Sequence, residues 1–535
     1  MNKKRIFSIV LAGVLLIGVL AACTPAQQAT DQAPDQTPTT TPTPPTQGTT
    51  PPPPPTEDEG FQRGIVVASM GETPSIAPGR HSTLLGSHKH ALTHNALFRA
   101  EYQTLAVVPD LVTEWRTLSD TVFEFTIREG VQFHNGDIMT AHDVSASFYY
   151  LRTYPDRNAV QGSIYSWEVL DDHTIRIDTG RPSALFFSDL TDHGNMVLPL
   201  SLIEAGHDFQ AVPVGSGPYV FQEWSRGDFL YFTAFENYWD AERFPNVGSV
   251  LWRIIPEGTS RTIALETGEV NYVVDVSLPD IARLEAINEI TVKQRPGIMW
   301  QGFFMNNDAH PFDNIIVRQA VDMAFDRDAM VLASLDGYGI PIRTTMPPMF
   351  AGATTEGTRP YDPEGARALL AEHGIDPASI GFEILFFDEV QRRRAEVAQA
   401  SLAEIGIPVT LNHMEFGPWM ALTLTDQYQS SFANHTVTSL VAFLRNMMHE
   451  DFIGTFNPPR IRNAELNELI NQALVTVDEN ARVAILYEAS KIANEHAGLI
   501  GVNMNIVFRA FNADLIVPEL GPNGALYVNM MYWVD

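Results

Sequence analysis

Apolar residues along this chain follow two different periods. Residues 65–68 form a short apolar run bounded by Gly64 and Gly71, the pattern of a buried strand. Phe123, Phe125 and Ile127 alternate with Glu124, Thr126 and Arg128, which predicts a strand with one face in water. Asn135-Gly136 marks a turn. Thr140 opens a helix: its hydroxyl can cap, Asp143 follows at capping-box spacing, and Val144, Phe148 and Leu151 share one face. Ile175 and Ile177 give another strand. Gly215, Gly217 and Pro218 break the chain before the strand-like residues 219–221, and residues 230–235 continue after Arg226-Gly227-Asp228.

Further along, the helical period dominates. Val317, Ala320, Val321, Ala324 and Phe325 keep the spacing of a core-facing stripe. Asp362-Pro363 is a cap and first-position pair, Leu369 and Leu370 lie inside the helix, and Gly374 stops it. Leu466, Leu469, Ile470 and Leu474 make another stripe, which Ala484, Tyr487 and Ile492 extend. Strands and helices mixed without a fixed repeat predict α/β lobes, not a solenoid or an all-β sandwich. At 535 residues the chain exceeds what one core serves, which predicts two or three domains.

Charge narrows the partners. A formal net charge of −30 repels phosphate backbones and argues against a nucleic-acid partner. The single cysteine, Cys23, excludes an intramolecular disulfide, a multi-cysteine zinc site and a Cys-x-x-Cys redox pair. Gly-x-Ser-x-Gly, the phosphate-loop pattern, the dinucleotide glycine fingerprint and His-Glu-x-x-His are all missing. Gly215-Ser216-Gly217 is too short for a nucleophile elbow. No enzyme and no cofactor are expected.

The front end reads as an address and a tether. Lys3, Lys4 and Arg5 precede an apolar run over residues 6–20, and Ala21 and Ala22 follow, which is the layout of an export signal. The run is also close to the lower length limit of a membrane-spanning helix. Leu20-Ala21-Ala22-Cys23 resembles the bacterial lipobox, in which the cysteine thiol receives a diacylglycerol. Two acyl chains hold stably where one binds marginally. Residues 1–23 are therefore expected to be a lipoprotein signal. Residues 24–60, rich in Thr and Pro, are expected to be a disordered linker that holds the body off the membrane.

Several ordered stretches resemble the family 5 extracellular solute-binding proteins of ABC importers, the oligopeptide, dipeptide and nickel-binding group. They are Val108-Pro109-Asp110-Leu111 through Trp115, Phe125 through Asp137 with Thr140-Ala141-His142-Asp143-Val144, Val214-Gly215-Ser216-Gly217-Pro218-Tyr219 with Asn237-Tyr238-Trp239, Ala264 through Val270, and Pro311-Phe312-Asp313-Asn314 with Val317-Arg318-Gln319-Ala320. The resemblance implies an α/β fold of the periplasmic-binding-protein type II: two lobes joined by two crossover strands, with an extra subdomain in the first lobe. The expected limits are 61–98, 210–298 and 503–535 for lobe I, 99–209 for the subdomain and 299–502 for lobe II, with crossovers near 295–303 and 498–505. It also implies a non-catalytic protein that captures a peptide or other small organic solute. Its partners would be the permease subunits of an ABC importer, at the outer face of the cell membrane or in the periplasm. A metal- or metallophore-binding version of the scaffold is the alternative; an enzyme or a sensor-coupled receptor on the same fold are the further rivals.

Site residues follow from the same resemblance. In peptide-binding relatives an Asp of the second lobe holds the peptide's amino group, and Asn434 occupies that place here. An uncharged amide holds an ammonium weakly, which argues against unmodified peptides. Trp300, at the first crossover, could stack on a planar or apolar ligand, and Trp419 after Gly417-Pro418 is similar. Arg343 could pair with a carboxylate. His81 lies in a stretch that skirts the ligand in relatives, and His88, His90 and His94 beside it are the alternative metal donors.

Replacing Cys23 with Ser is expected to abolish lipidation and release the protein from membranes without changing the fold of the body. Fractionation and intact mass check this; a Ser variant that stays with membranes and keeps an acyl mass refutes the tether.

Overall fold

Two long strands, Ile290–Met305 and Leu499–Asn512, run antiparallel from Ile290 opposite Asn512 to Phe304 opposite Leu499. They belong to a computed structural model that describes residues 63–79, 84–153, 163–192 and 195–534. Cys23 and His81 lie outside the described residues, as do the signal and the proline-rich segment. Toward Asn512 the sheet continues through Tyr272–Val273, Ile65–Ser69, Ser249–Ile254, Phe229–Ala234 and Tyr219–Ser225. Toward Met305 it continues through Ser430–Thr436, Phe382–Phe386 and Val409–His413. With Gly339–Pro341, which pairs with the second long strand, these make one 11-stranded sheet that passes through two lobes, and the long strands carry it across. Ile65–Ser69 has parallel neighbours on both sides, which is why its sequence is a continuous apolar run.

The ladder between the long strands is broken between the lobes. Register shifts between Pro296 and Trp300, leaving Gly297, Ile298 and Met299 against Asn505 alone. The Asn505 side chain fills the break and accepts from the Met299 N–H at 2.9 Å. A Cβ on Gly297 would lie 2.3 Å from Asn505 Oδ1, so only glycine allows this approach.

The inserted region forms its own four-stranded antiparallel sheet, Val112–Thr117, Val122–Ile127, Thr174–Asp178 and Ser166–Asp171 in that order. The helix Ala141–Leu151 carries the capping box that Thr140 and Asp143 predict. Phe98, Phe123, Phe125, Phe148 and Phe186 fill the core of this subdomain. Glu124 departs from the expected alternation, being only 6% exposed. Strands flank it on both sides, and Arg176 at 2.7 Å, together with Arg116, meets its charge. Those guanidinium groups hold its carboxyl below the usual range.

In the second lobe the helix Ile315–Ala324 buries Val317, Ala320, Val321 and Ala324. Asp362 caps Pro363–Glu372, and Gly374 follows with φ of 65°. The stripe of Glu479–His496 is rotated from the expected one: Leu486, Ala489 and Ala493 are buried, whereas Ala484 is exposed. Small residues there let this helix lie close to Ala464–Val475, which buries Leu466 and Ile470. Among the described residues no helix is long and apolar enough to cross a membrane.

Gly302 is the tightest point beside the crossing. An added Cβ would sit 1.8 Å from the Trp300 ring and 2.6 Å from the Ile500 carbonyl. Gly302→Ala is expected to lower stability by about 1–3 kcal/mol. Gly417→Ala, in the helix Phe416–Thr423 with nothing within 4 Å, should leave it unchanged or slightly raised. Denaturant unfolding of the two variants checks this contrast.

Candidate functional site

A cavity of about 390 Å³ lies where the first lobe, the subdomain and the second lobe meet. That volume suits a small organic molecule. One wall is the helix Leu84–Thr93, with His88, His90 and, just past its end, His94. Backbone closes this wall: the Gly217 N–H donates to the Thr93 carbonyl at 3.0 Å, and Ser216 Oγ donates to Asn95 Oδ1 at 3.1 Å. The Gly-Ser-Gly-Pro stretch therefore seats a helix end.

The floor is a hydrogen-bonded cluster of charged side chains. Asn95 Nδ2 donates to Asp110 Oδ2 at 3.0 Å, and Arg243 bridges Asp110 and Asp240. Tyr238, buried beside them, has its hydroxyl pKa pushed upward by burial. Arg99 is a further guanidinium on the wall, 4.0 Å from Asp110, with Nε buried and making no hydrogen bond.

The subdomain supplies Leu185, Ser188 and Asp189, and the second lobe supplies Thr436, Thr438 and Ser439. Thr436 ends the strand Ser430–Thr436, and Ser439 caps the helix Leu440–Met448. These two sides touch. The Ala184 N–H donates to the Leu474 carbonyl at 2.8 Å, and Leu185 is buried in a second-lobe cluster with Trp300 and Phe443. Asp189 accepts from the Ser163 hydroxyl. Burial pushes its carboxyl up to about 6, offset in part by that hydrogen bond and by Arg445.

Of the histidines at this wall, His94 is kept neutral by burial. Burial, then the neighbouring His134, drives His94 down to about 3, and burial drives His134 down to about 4. His88 Nε2 is bonded to the Gly524 carbonyl at 3.0 Å, and the His90 and His94 rings stand 6.5 Å apart, edge to face. Among the described residues no group of three or more His, Cys, Asp or Glu is placed to hold a metal ion.

Of the residues singled out in the sequence, the structure brings His88, His90 and His94 to the cavity. Trp300 is fully buried between Phe304 and Phe443 and does not line it. Trp419 is buried against Phe387, and its Nε1 donates to Ser431 Oγ at 2.8 Å. Asn434 is exposed on its strand opposite Gln301, two positions short of the lining Thr436. Arg343 is half-buried away from the wall, with Nη1 making no hydrogen bond. Asp189, Arg99 and Ser439 were missed. Asp189 carried one usable signal, a carboxylate two residues after the apolar Leu185-Phe186-Phe187 run.

Three comparisons bear on this arrangement. The family model "Bacterial extracellular solute-binding proteins, family 5 Middle" matches residues 106–444. The glutathione-binding protein GsiB of Salmonella typhi is 30% identical over 321 residues, 58% of this chain and 62% of that protein's length. The glutathione-binding protein GsiB of Shigella dysenteriae serotype 1 (strain Sd197) is 30% identical over 435 residues, covering 77% of this chain and 84% of its own. Among solved structures, HbpA2 of Haemophilus parasuis has a TM-score of 0.80 at 21% identity over 88% of this chain and 100% of its own. The periplasmic binding protein DppA of Helicobacter pylori, in complex with the peptide STSA, has a TM-score of 0.75 at 23% identity, over 88% and 98%. These likenesses give the fold: the type II periplasmic-binding architecture of two lobes, two crossover strands and an added subdomain.

The buried imidazoles fix a pH dependence. His94, His134 and His496 have folded pKa values of about 3, about 4 and about 4, below the unfolded value of 6.5. Their folded forms exclude the proton, so the stability they confer is complete above pH ~6.5 and is lost as pH falls toward those values. Asp189, raised to about 6, acts in the opposite sense but is a single group. The unfolding temperature is expected to fall between pH ~6.5 and ~4.5 by up to the equivalent of ~1.4 kcal/mol per pH unit per histidine. His134→Gln should flatten the profile; calorimetric scans across that range check it.

Proposed function

This chain belongs to the bacterial extracellular solute-binding proteins of family 5, and on that premise we propose that it captures a small, peptide-like organic solute between its lobes. It would then present the solute to the permease of an ABC importer. The observation that carries this reading is the cavity itself. Its wall is built from both lobes and the subdomain, so a bound molecule contacts parts that can move relative to one another. Ligand binding shifts a conformational balance only through differential contacts with the two states, and a cavity shared by the lobes provides them. Hydroxyl, carboxylate and guanidinium groups on the wall suit a polar solute of a few residues' size. The relatives named for glutathione, and the fold neighbour solved with the peptide STSA, support the peptide-like class.

The role is non-catalytic. Within the cavity the His94 imidazole is kept neutral by burial, and Ser216 donates to Asn95 instead of being activated by a base. The metal-binding alternative gains no support from the described donors. In the same reading, Cys23 carries a lipid that keeps the exported body at the outer face of the membrane.

Purified protein is expected to release a peptide-like molecule on unfolding, identifiable by mass spectrometry. Glutathione or short peptides at one hundred times their Kd should add ~2.7 kcal/mol to its stability. A protein that releases nothing, and whose unfolding temperature no peptide moves, contradicts the proposal.

A further inference from the structure

We propose that the charged ends of the solute are read by Asp189 and Arg99, the subdomain carboxylate taking its cationic group and the guanidinium its anionic group. The inference rests on the solute-capture reading and adds to it the charge pattern of the ligand and the residues that select it. The cationic subsite then lies in the inserted subdomain and not on the second-lobe strand that carries Asn434.

Hydrogen-bond partners on the cavity wall single out these two residues; Asp192, a further carboxylate on the wall, adds negative charge beside Asp189. Both Asp110 carboxylate oxygens already accept hydrogen bonds, from Asn95 and Arg243, and Arg243 also holds Asp240, so these carboxylates are met by donors of the protein itself. Arg99 comes no nearer to Asp110 than 4.0 Å, and its buried Nε makes no hydrogen bond. An N–H donor removed from water without a partner costs free energy, and a ligand carboxylate satisfies it with charge. Asp189 has the complementary need. Its one hydrogen bond is from the neutral Ser163 hydroxyl, and no cation stands within ion-pair distance of it among the described residues. It closes the short helix Phe186–Asp189, and Arg445 gives only partial compensation for its charge.

Both groups line the same cavity and are anchored through aromatic residues near them in the chain. Arg99 follows Phe98 and Asp189 stands two residues after Phe187, and those two rings pack edge to face at 5.3 Å. Phe186 and Leu190, three residues before Asp189 and one after it, are buried in the subdomain core. The two charges stay on the rim of one cavity without forming an ion pair, an arrangement that a zwitterion spanning them would complete. Second-lobe residues at the cavity, Thr436, Thr438 and Ser439, offer hydroxyls and no charge, so they can close over such a ligand without competing for its ends.

The test is titration calorimetry of the full chain with trialanine, N-acetyl-trialanine, trialanine amide and glutathione. Wild-type protein should bind an unmodified peptide, and blocking either end should weaken binding at least tenfold. Asp189→Asn should lose the discrimination against acetylation and keep that against amidation; Arg99→Gln should do the reverse. Equal wild-type binding of blocked and unblocked peptides overturns the charge pair while leaving solute capture standing, and that arm needs no variant. Unchanged affinity for the unmodified peptide in both variants overturns it as well. Failure of every member of the panel to bind wild-type protein overturns both this inference and the peptide-like reading.

Discussion

Everything about this molecule depends on a broken hydrogen-bond ladder. The strands Ile290–Met305 and Leu499–Asn512 are the only long elements that belong to both lobes among the described residues. An unbroken antiparallel pair would make the two lobes one stiff sheet. Three residues set against Asn505 replace regular pairing with a single side-chain hydrogen bond, and such irregularities bend a strand and concentrate its twist. Rotation of one lobe against the other then needs only small dihedral changes at a defined place. Gly297 is fixed by this requirement, because any side chain there would collide with the amide that fills the break.

The cavity follows from the same constraint. Its walls come from elements hung on opposite sides of the break, so its shape depends on the angle between them. Leu185 and the Ala184–Leu474 hydrogen bond tie the subdomain to the second lobe in the conformation seen here. Closing the cavity therefore gains apolar burial at its rim as well as contacts to the solute inside. The polar groups within are graded: the Asp110–Arg243–Asp240 cluster is satisfied and structural, whereas Arg99 and Asp189 keep unmet bonding capacity.

Much of the fold was legible in the sequence because it rests on local physics. The Thr140 capping box, the Asp362-Pro363 helix start and the continuous apolar run of Ile65–Ser69 each follow from neighbours along the chain. Misreadings came where distant partners decide. Glu124 looked solvent-facing until Arg116 and Arg176 arrived from adjacent strands. The stripe of Glu479–His496 turned because the facing helix Ala464–Val475 selects small residues. The site was harder still. Trp300 sits on the crossing strand as the resemblance implies, yet its ring packs over Gly302 and against Phe443, which takes it into the core. Asp189 and Arg99 were not legible, since their importance comes from what fails to pair with them in three dimensions.

Motion about the Gly297–Asn505 break, driven by a solute that both lobes touch, is the central claim. Small-angle X-ray scattering of the protein, emptied and then saturated with the solute that co-purifies with it, tests this most directly. A smaller radius of gyration in the saturated protein is the predicted result. An identical radius in both states, with the solute demonstrably bound, would contradict it.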